Sequence, residues 1–239
     1  MAIIVPSMPP QPLPTDPSDL VRRLRRLDSC ALSDALDSLD LPGAVAGIRP
    51  VAAARRIAGH VQTVRLGLPT PVAPTRHLCA AAVDASGPGD VIVVEHHARP
   101  DAAGWGGILS TAARARGLSG VIVDGAVRDV DDSEAACFPV FARHVVPFTA
   151  RGRIVELAWG QPISVGEVVV RAGDLVIADR TGVVFIAADR VRQVLAAAER
   201  IAAREAAMSQ AVCQGRAVSD VMSADYEQML VTARAEGEE

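Results

Sequence analysis

The sequence contains no lysine: all 24 of its basic residues are arginine. A carbonyl enzyme built this way has no side-chain amine for a Schiff base, which excludes lysine-dependent aldolase and pyridoxal chemistry. Aromatic residues make up only 3% of the chain, so few rings are available to stack on bases, and the formal charge of −4 gives no basic footprint for nucleic acid. No nucleic-acid partner is expected. No apolar run reaches the roughly 18 residues of a membrane span, and the N-terminal stretch lacks the basic start and apolar run of a targeting signal. The expected setting is therefore cytoplasmic, with no membrane partner. The four cysteines, Cys30, Cys79, Cys137 and Cys213, show no Cys-x-x-Cys spacing and read as reduced thiols, with Cys137 a small buried hydrophobe before Phe138-Pro139.

What is present is aliphatic. Half of the 239 residues are apolar, and with so few rings the core must be Ala, Val, Leu and Ile. That composition suits β-branched strands covered by Ala-rich helices, an α/β class. The length fits one compact domain with extensions. We expect a Pro-rich arm over residues 1–17, the domain over 18–212 and a C-terminal extension over 213–239.

Apolar residues at helical spacing between Asp19 and Leu39 predict two short amphipathic helices. The segment from Ile57 to Leu66 alternates like a strand that begins after Gly59, and Arg76 to Ala85 reads as a helix. Val91 to Val94 and Val121 to Val123 are continuous apolar runs typical of strands buried on both faces. Between them lie a glycine cluster at Gly104, Gly106 and Gly107 and an Ala-rich helix from about Ile108 to Arg116, which Gly117 ends. Strand, glycine loop, helix and strand make a βαβ unit. Beyond Asp129, short strands punctuated by glycine suggest a meandering β layer, followed by a long helix from about Asp189 to beyond Ala207.

The chemistry concentrates in Val121-Ile122-Val123-Asp124-Gly125-Ala126-Val127-Arg128-Asp129, which ends past a buried parallel strand. Ligands bind outside the carboxyl ends of strands in open α/β sheets. There Arg128 can hold a carboxylate through two parallel hydrogen bonds, and Asp129 can hold Mg²⁺ or Mn²⁺ directly or through water. An ordinary surface ion pair after a turn would give the same local string. One helix upstream, Trp105-Gly106-Gly107-Ile108-Leu109-Ser110 offers free helix N-terminal amides and close backbone approach for an anion, or simply a tight turn. The βαβ unit brings both segments to one edge of the sheet.

These two stretches, Gly104 to Ala113 and Gly117 to Asp129, resemble the RraA-like family, which groups 4-hydroxy-4-methyl-2-oxoglutarate/4-carboxy-4-hydroxy-2-oxoadipate aldolases with the regulator of ribonuclease activity A. Gly173-Asp174, Asp179 and Gly182-Val183-Val184 are similar to its second β segment, so the likeness covers roughly residues 20 to 210. The resemblance implies a β/β/α swivelling-type fold, trimers or hexamers with sites between subunits, and a Mg²⁺- or Mn²⁺-dependent lyase. The substrate it implies is a pyruvate-type 2-oxo acid, cleaved by retro-aldol reaction or decarboxylated as oxaloacetate is. By position, Arg128 matches the arginine that holds the oxo-acid carboxylate, and Asp129 the aspartate that orders the metal and its waters. Gly106, Gly107 and the amides of Ile108 and Leu109 match the substrate loop. Glu205, with Glu199 in reserve, matches a glutamate that completes the metal shell from a neighbouring subunit. The family's aldolases carry an acidic residue at the position of Gly107, and this chain does not. Asp101 or His97 could replace it if their loop folds back. The resemblance also admits a non-catalytic regulator that works by protein contact, or an enzyme that has turned the metal site to another substrate.

Other candidates have plainer readings. His96 and His97 point opposite ways on an extended chain, which suits loop packing better than a shared metal. His60, His77 and His144 stand alone. The run Arg22-Arg23 with Arg25-Arg26 alternates with Leu and reads as a solvated or subunit-facing helix side. Asp131, Asp132 and Glu134 follow the site and one of them could reach the metal, but the acidic start of a helix accounts for them.

Overall fold

A computed structural model describes residues 17–69, 71 and 77–222. The chain opens with α1 (Pro17–Leu24) and α2 (Ser29–Ser38), the two helices expected, and Asp28 caps α2 by accepting the Ala31 N–H at 2.9 Å. Strands β1 (Ala44–Val45), β2 (Arg49–Ala52) and β3 (Ile57–Gly67) follow, then α3 (Ala80–Ala85) and β4 (Val91–Glu95). The central unit continues through α4 (Gly107–Ala115), β5 (Gly120–Val127), α5 (Val130–Ala135) and β6 (Val140–Val145). Strands β7 (Val155–Trp159), β8 (Ile163–Val165), β9 (Val168–Val170), β10 (Leu175–Ala178) and β11 (Val183–Ile186) precede α6 (Val191–Cys213) and the short α7 (Val218–Val221). The expected arm, apart from Pro17, and the end of the tail lie outside the described residues.

Nine strands form one curled sheet in the order β1-β11-β10-β3-β4-β5-β6-β2, with β7 also paired to β3. This is the α/β architecture expected. Strands β3, β4, β5 and β6 run parallel, and β10 and β11 are antiparallel to their neighbours. Alternation sorts the side chains by face. Ile92, Val94, Val121 and Val123 point outward beneath α3 and α4, whereas Val91, Val93, Ile122 and Phe141 fill the inside of the curl together with the β8–β9 hairpin. A third cluster packs α1, α2 and α6 against β10 and β11. Both faces of β5 are thus covered, which is why it reads as an unbroken apolar run.

Four local readings change. The strand near Val140 was expected in a meander, but β6 joins β5 in parallel because α5 supplies a second crossover. Strand β3 begins at Ile57, not after Gly59, because Gly59 lies within the strand where Gly89 O crosses closely. Cys137 is exposed, not buried: it takes φ +50° at the end of α5, which turns its side chain out while Phe138 goes into the core. The helix expected from Arg76 starts at Ala80 among the described residues.

Two buried carboxylates staple this frame. Asp179 accepts Ser29 N–H at 2.9 Å, Ser29 O–H at 2.8 Å and Thr181 N–H at 2.9 Å, tying α2 to the β10–β11 turn. Burial opposes its charge, yet the bonds from Ser29, Thr181 and Gly182 prevail and hold its carboxyl below the usual value. Asp124, midway along β5, pairs with Arg143 and accepts Gly166 N–H at 3.0 Å, closing the hairpin over the mouth of the curl.

A Cβ at Gly59 would stand 2.0 Å from Gly89 O, a backbone atom that cannot swing away. Gly59→Ala should therefore destabilise the protein by about 1–3 kcal/mol, seen as a lower denaturant midpoint with an unchanged slope.

Candidate functional site

Strand β5 ends at Val127 and delivers Arg128 and Asp129 to the carboxyl edge of the sheet, as the sequence predicted. Asp129 adopts the left-handed conformation, φ +54° and ψ +43°, directly before α5. That turn points its carboxylate sideways at the neighbouring glycine loop. Its Oδ2 accepts the Gly107 N–H at 3.2 Å and lies 3.2 Å from Arg128 Nε. A Cβ on Gly106 would stand 2.8 Å from the same Oδ2, so this approach requires glycine there.

The loop is held by its other side. Gly104 N–H donates to Ala126 O at 2.8 Å and Arg128 N–H to Trp105 O at 3.1 Å, which continues the parallel pairing of the loop along the end of β5. Trp105 is 1% exposed and stacks on Phe138 with ring centroids 6.2 Å apart. Its Nε1 donates to Ser110 Oγ at 2.9 Å, and Ser110 Oγ lies 2.7 Å from Ser133 Oγ on α5. A buried polar chain therefore locks the start of α4 to α5.

Beneath Arg128 and Asp129 opens a cavity of about 400 Å³, lined by the Trp105 to Leu109 loop, α3 and the Thr149 to Arg151 segment. That volume suits a small organic ligand. All the predicted loop residues meet here: Gly106, Gly107, Ile108 and Leu109 line it with Arg128 and Asp129. The Ile108 and Leu109 amides belong to the first turn of α4, where no intrahelical acceptor exists. Ile108 itself is 89% exposed.

Glu205 is not gathered with them. It sits on α6, where burial and then Asp34 and Asp28 push its carboxyl up. Glu199 is bound to Arg23 at 2.7 Å. Among the described residues no cluster of three or more His, Cys, Asp or Glu is assembled within one chain. Asp101 is committed to Arg99, whose hydrogen bonds hold its carboxyl down to about 2. His97 instead faces Glu95 at 4.0 Å. Neither takes up the position beside Gly107.

Asp132 does. A Cβ on Gly107 would stand 2.6 Å from Asp132 Oδ2 and 2.7 Å from its Cβ. The space that a side chain at 107 would occupy is filled by a carboxylate from α5. The only sequence signal was spacing, since Asp132 lies one helical turn after Asp129. His77 and Arg151, which also line the cavity, come from distant segments and gave no signal.

His96 has a structural place. Its ring sits over Gly125, where a Cβ would come within 2.4 Å, and its Nε2 pairs with Ala102 O at 2.7 Å. The one glycine of the Val121–Asp129 string is thus explained by ring packing.

The family model described as RraA-like, Aldolase/RraA, matches residues 29–185. The chain belongs to the RraA-like family. It is 30% identical over 168 residues to a Halalkalibacterium halodurans protein with the provisional name 4-hydroxy-4-methyl-2-oxoglutarate aldolase, covering 70% of this chain and 76% of that protein. It is also 30% identical over 169 residues to protein DlpA of Legionella pneumophila, where the match takes 70% of this chain but spans only 27% of that relative's length. The solved structure of an uncharacterized protein from Pseudomonas syringae pv. tomato superposes with a TM-score of 0.78 at 26% identity, over 86% of this chain and 98% of that one. No helix among the described residues of this RraA-like chain is long and apolar enough to cross a membrane.

Burial lowers the pKa of His96 from its ordinary 6.5, so the folded protein keeps this ring neutral. The unfolded chain takes up the proton first as pH falls, so this contribution is complete above 6.5 and is lost below it. Denaturation followed from about pH 7.5 to about 5.5 should show falling stability, with a shallower fall in His96→Gln.

Proposed function

We propose that this cavity binds a pyruvate-type 2-oxo acid with Mg²⁺ or Mn²⁺ and cleaves the adjacent carbon–carbon bond, by retro-aldol reaction or by decarboxylation. The observation that carries the reading is the Asp129 contact with Gly107 N–H, which joins an arginine, a carboxylate and free helix amides at one opening, with Asp132 packed against Gly107 beside it. Arg128 binds the substrate carboxylate, for which its planar fork is suited. The Ile108 and Leu109 amides take the remaining oxygens, as helix N-termini do for anions.

Mg²⁺ keeps several waters and uses one or two carboxylates together with substrate oxygens. Asp129 and Asp132, both set against the Gly106–Gly107 backbone, offer that kind of donor set, so the residues fit such an ion. When bound, the cation supplies the Lewis acidity that a lysine imine would otherwise provide. Asp132 stands in for the acidic residue absent at 107 and accepts the proton of a 4-hydroxyl or of an ordered water. A neighbouring subunit of a trimer or hexamer brings Glu205 to the opening and covers Ile108.

Pyruvate release from oxaloacetate or a 4-hydroxy-2-oxo acid should require Mg²⁺ or Mn²⁺. Arg128→Ala and Asp129→Asn should each lower kcat/KM at least about a hundredfold. Asparagine is chosen because it tolerates the left-handed backbone at 129. No turnover of either substrate, with no heat of Mn²⁺ binding in the presence of oxalate, would instead indicate a protein that acts by contact alone. Asp132→Asn should cut turnover at least about tenfold while changing stability by less than about 0.5 kcal/mol. Full activity in that variant would remove Asp132 from the reaction.

A further inference from the structure

A second cavity, of about 630 Å³, opens at the opposite end of the parallel strands. The turns that precede β4 and β5, Pro88-Gly89 and Gly117 to Ser119, form its floor. Strand β5 is eight residues long, which at about 3.3 Å per residue puts roughly 25 Å between this opening and Arg128. The two cavities share no lining residue.

Its walls carry four arginines: Arg25 past α1, Arg55 and Arg56 before β3, and Arg114 in the last turn of α4. No acidic residue lines it. The guanidiniums spend few donors on the protein. Arg25 reaches Ala58 O and Ser119 Oγ only at 3.4 Å, Arg55 donates to Cys137 O at 3.1 Å, and Arg56 donates to Leu27 O at 2.6 Å. Arg114 has no side-chain partner among the described residues. The nearest carboxylate is Asp179, 4.0 Å from Arg56, and Ser29 and Thr181 already occupy it.

This concentration of one sign occurs on a chain whose net charge is −4. Cations lining one concave opening repel one another and raise the local positive field, which an anion relieves. We propose that this cavity is a binding site for a small phosphorylated ligand. Several guanidinium forks can share the terminal oxygens of one phosphate, and a dianion answers more of the charge than a single carboxylate. The lining holds no aromatic ring, so bases would find nothing to stack on, and a single-stranded nucleic acid is not the ligand it fits.

The test is calorimetric titration of the full chain with inorganic pyrophosphate at fixed ionic strength. EDTA excludes metal-bound pyrophosphate, and an Arg128→Ala background removes the anion-binding guanidinium of the other cavity, so failure of the lyase reading would not disturb the result. One saturable site per chain is expected, weakened at least about tenfold by Arg55→Gln/Arg114→Gln. Arg25→Gln serves as a second variant if the pair perturbs folding, and should weaken binding in the same direction. Arg22→Gln, on a residue paired with Asp19 outside the cavity, should leave binding unchanged. Absence of saturation at millimolar pyrophosphate would overturn the proposal, as would equal loss in Arg22→Gln. Citrate binding as tightly as pyrophosphate would overturn the phosphate assignment.

Discussion

The carboxylate of Asp129 and the amide of Gly107 belong to two different crossovers of the sheet, and their contact is what turns two loop ends into one site. The contact depends on Asp129 holding a left-handed backbone, on Gly106 having no side chain, and on Trp105 being anchored through Ser110 and Ser133. Together with the Gly104–Ala126 and Trp105–Arg128 backbone bonds, they fix the start of α4 against the end of β5. Positions of this kind must be held to fractions of an ångström for chemistry, and buried hydrogen bonds with an aromatic stack are the means used here.

Carboxylates do two kinds of work in the molecule. Asp124 and Asp179 are buried, saturated with donors and joined to turns and hairpins, so they organise the frame. Asp129 lines a cavity and Asp132 lies against Gly107 at its edge, where their carboxylates can meet a cation or a proton. A similar division holds for arginine. Arg143 and Arg23 are paired with acids, whereas Arg25, Arg55 and Arg114 face a cavity with none. The absence of lysine makes every one of these cations a rigid planar fork rather than a flexible point charge.

Much of the central frame was legible. The α1–α2 pair, the β4–α4–β5 unit and the long α6 follow from periodicity, caps and glycine stops, all local signals. The strand β6 was misplaced because a short acidic helix hid the crossover that makes it parallel. The strand was read as beginning after Gly59, whereas Gly59 lies inside it where the Gly89 carbonyl crosses closely. At the site, Arg128, Asp129 and the glycine loop could be named from their place in the βαβ unit. Asp132 was assigned to helix polarity, and His77 and Arg151 were passed over, because their relevance depends on which segments meet across space.

By itself the sequence determined the aliphatic core, the parallel strands, the left-over amides of α4 and the exclusion of imine chemistry, because each follows from residue type and short-range order. Only the tertiary structure decided that Asp132 fills the place left by Gly107, that the His96 ring packs over Gly125, and that four arginines from three separate segments converge. Those facts concern distances between residues far apart in the chain, which the curl of the sheet sets and no local pattern records.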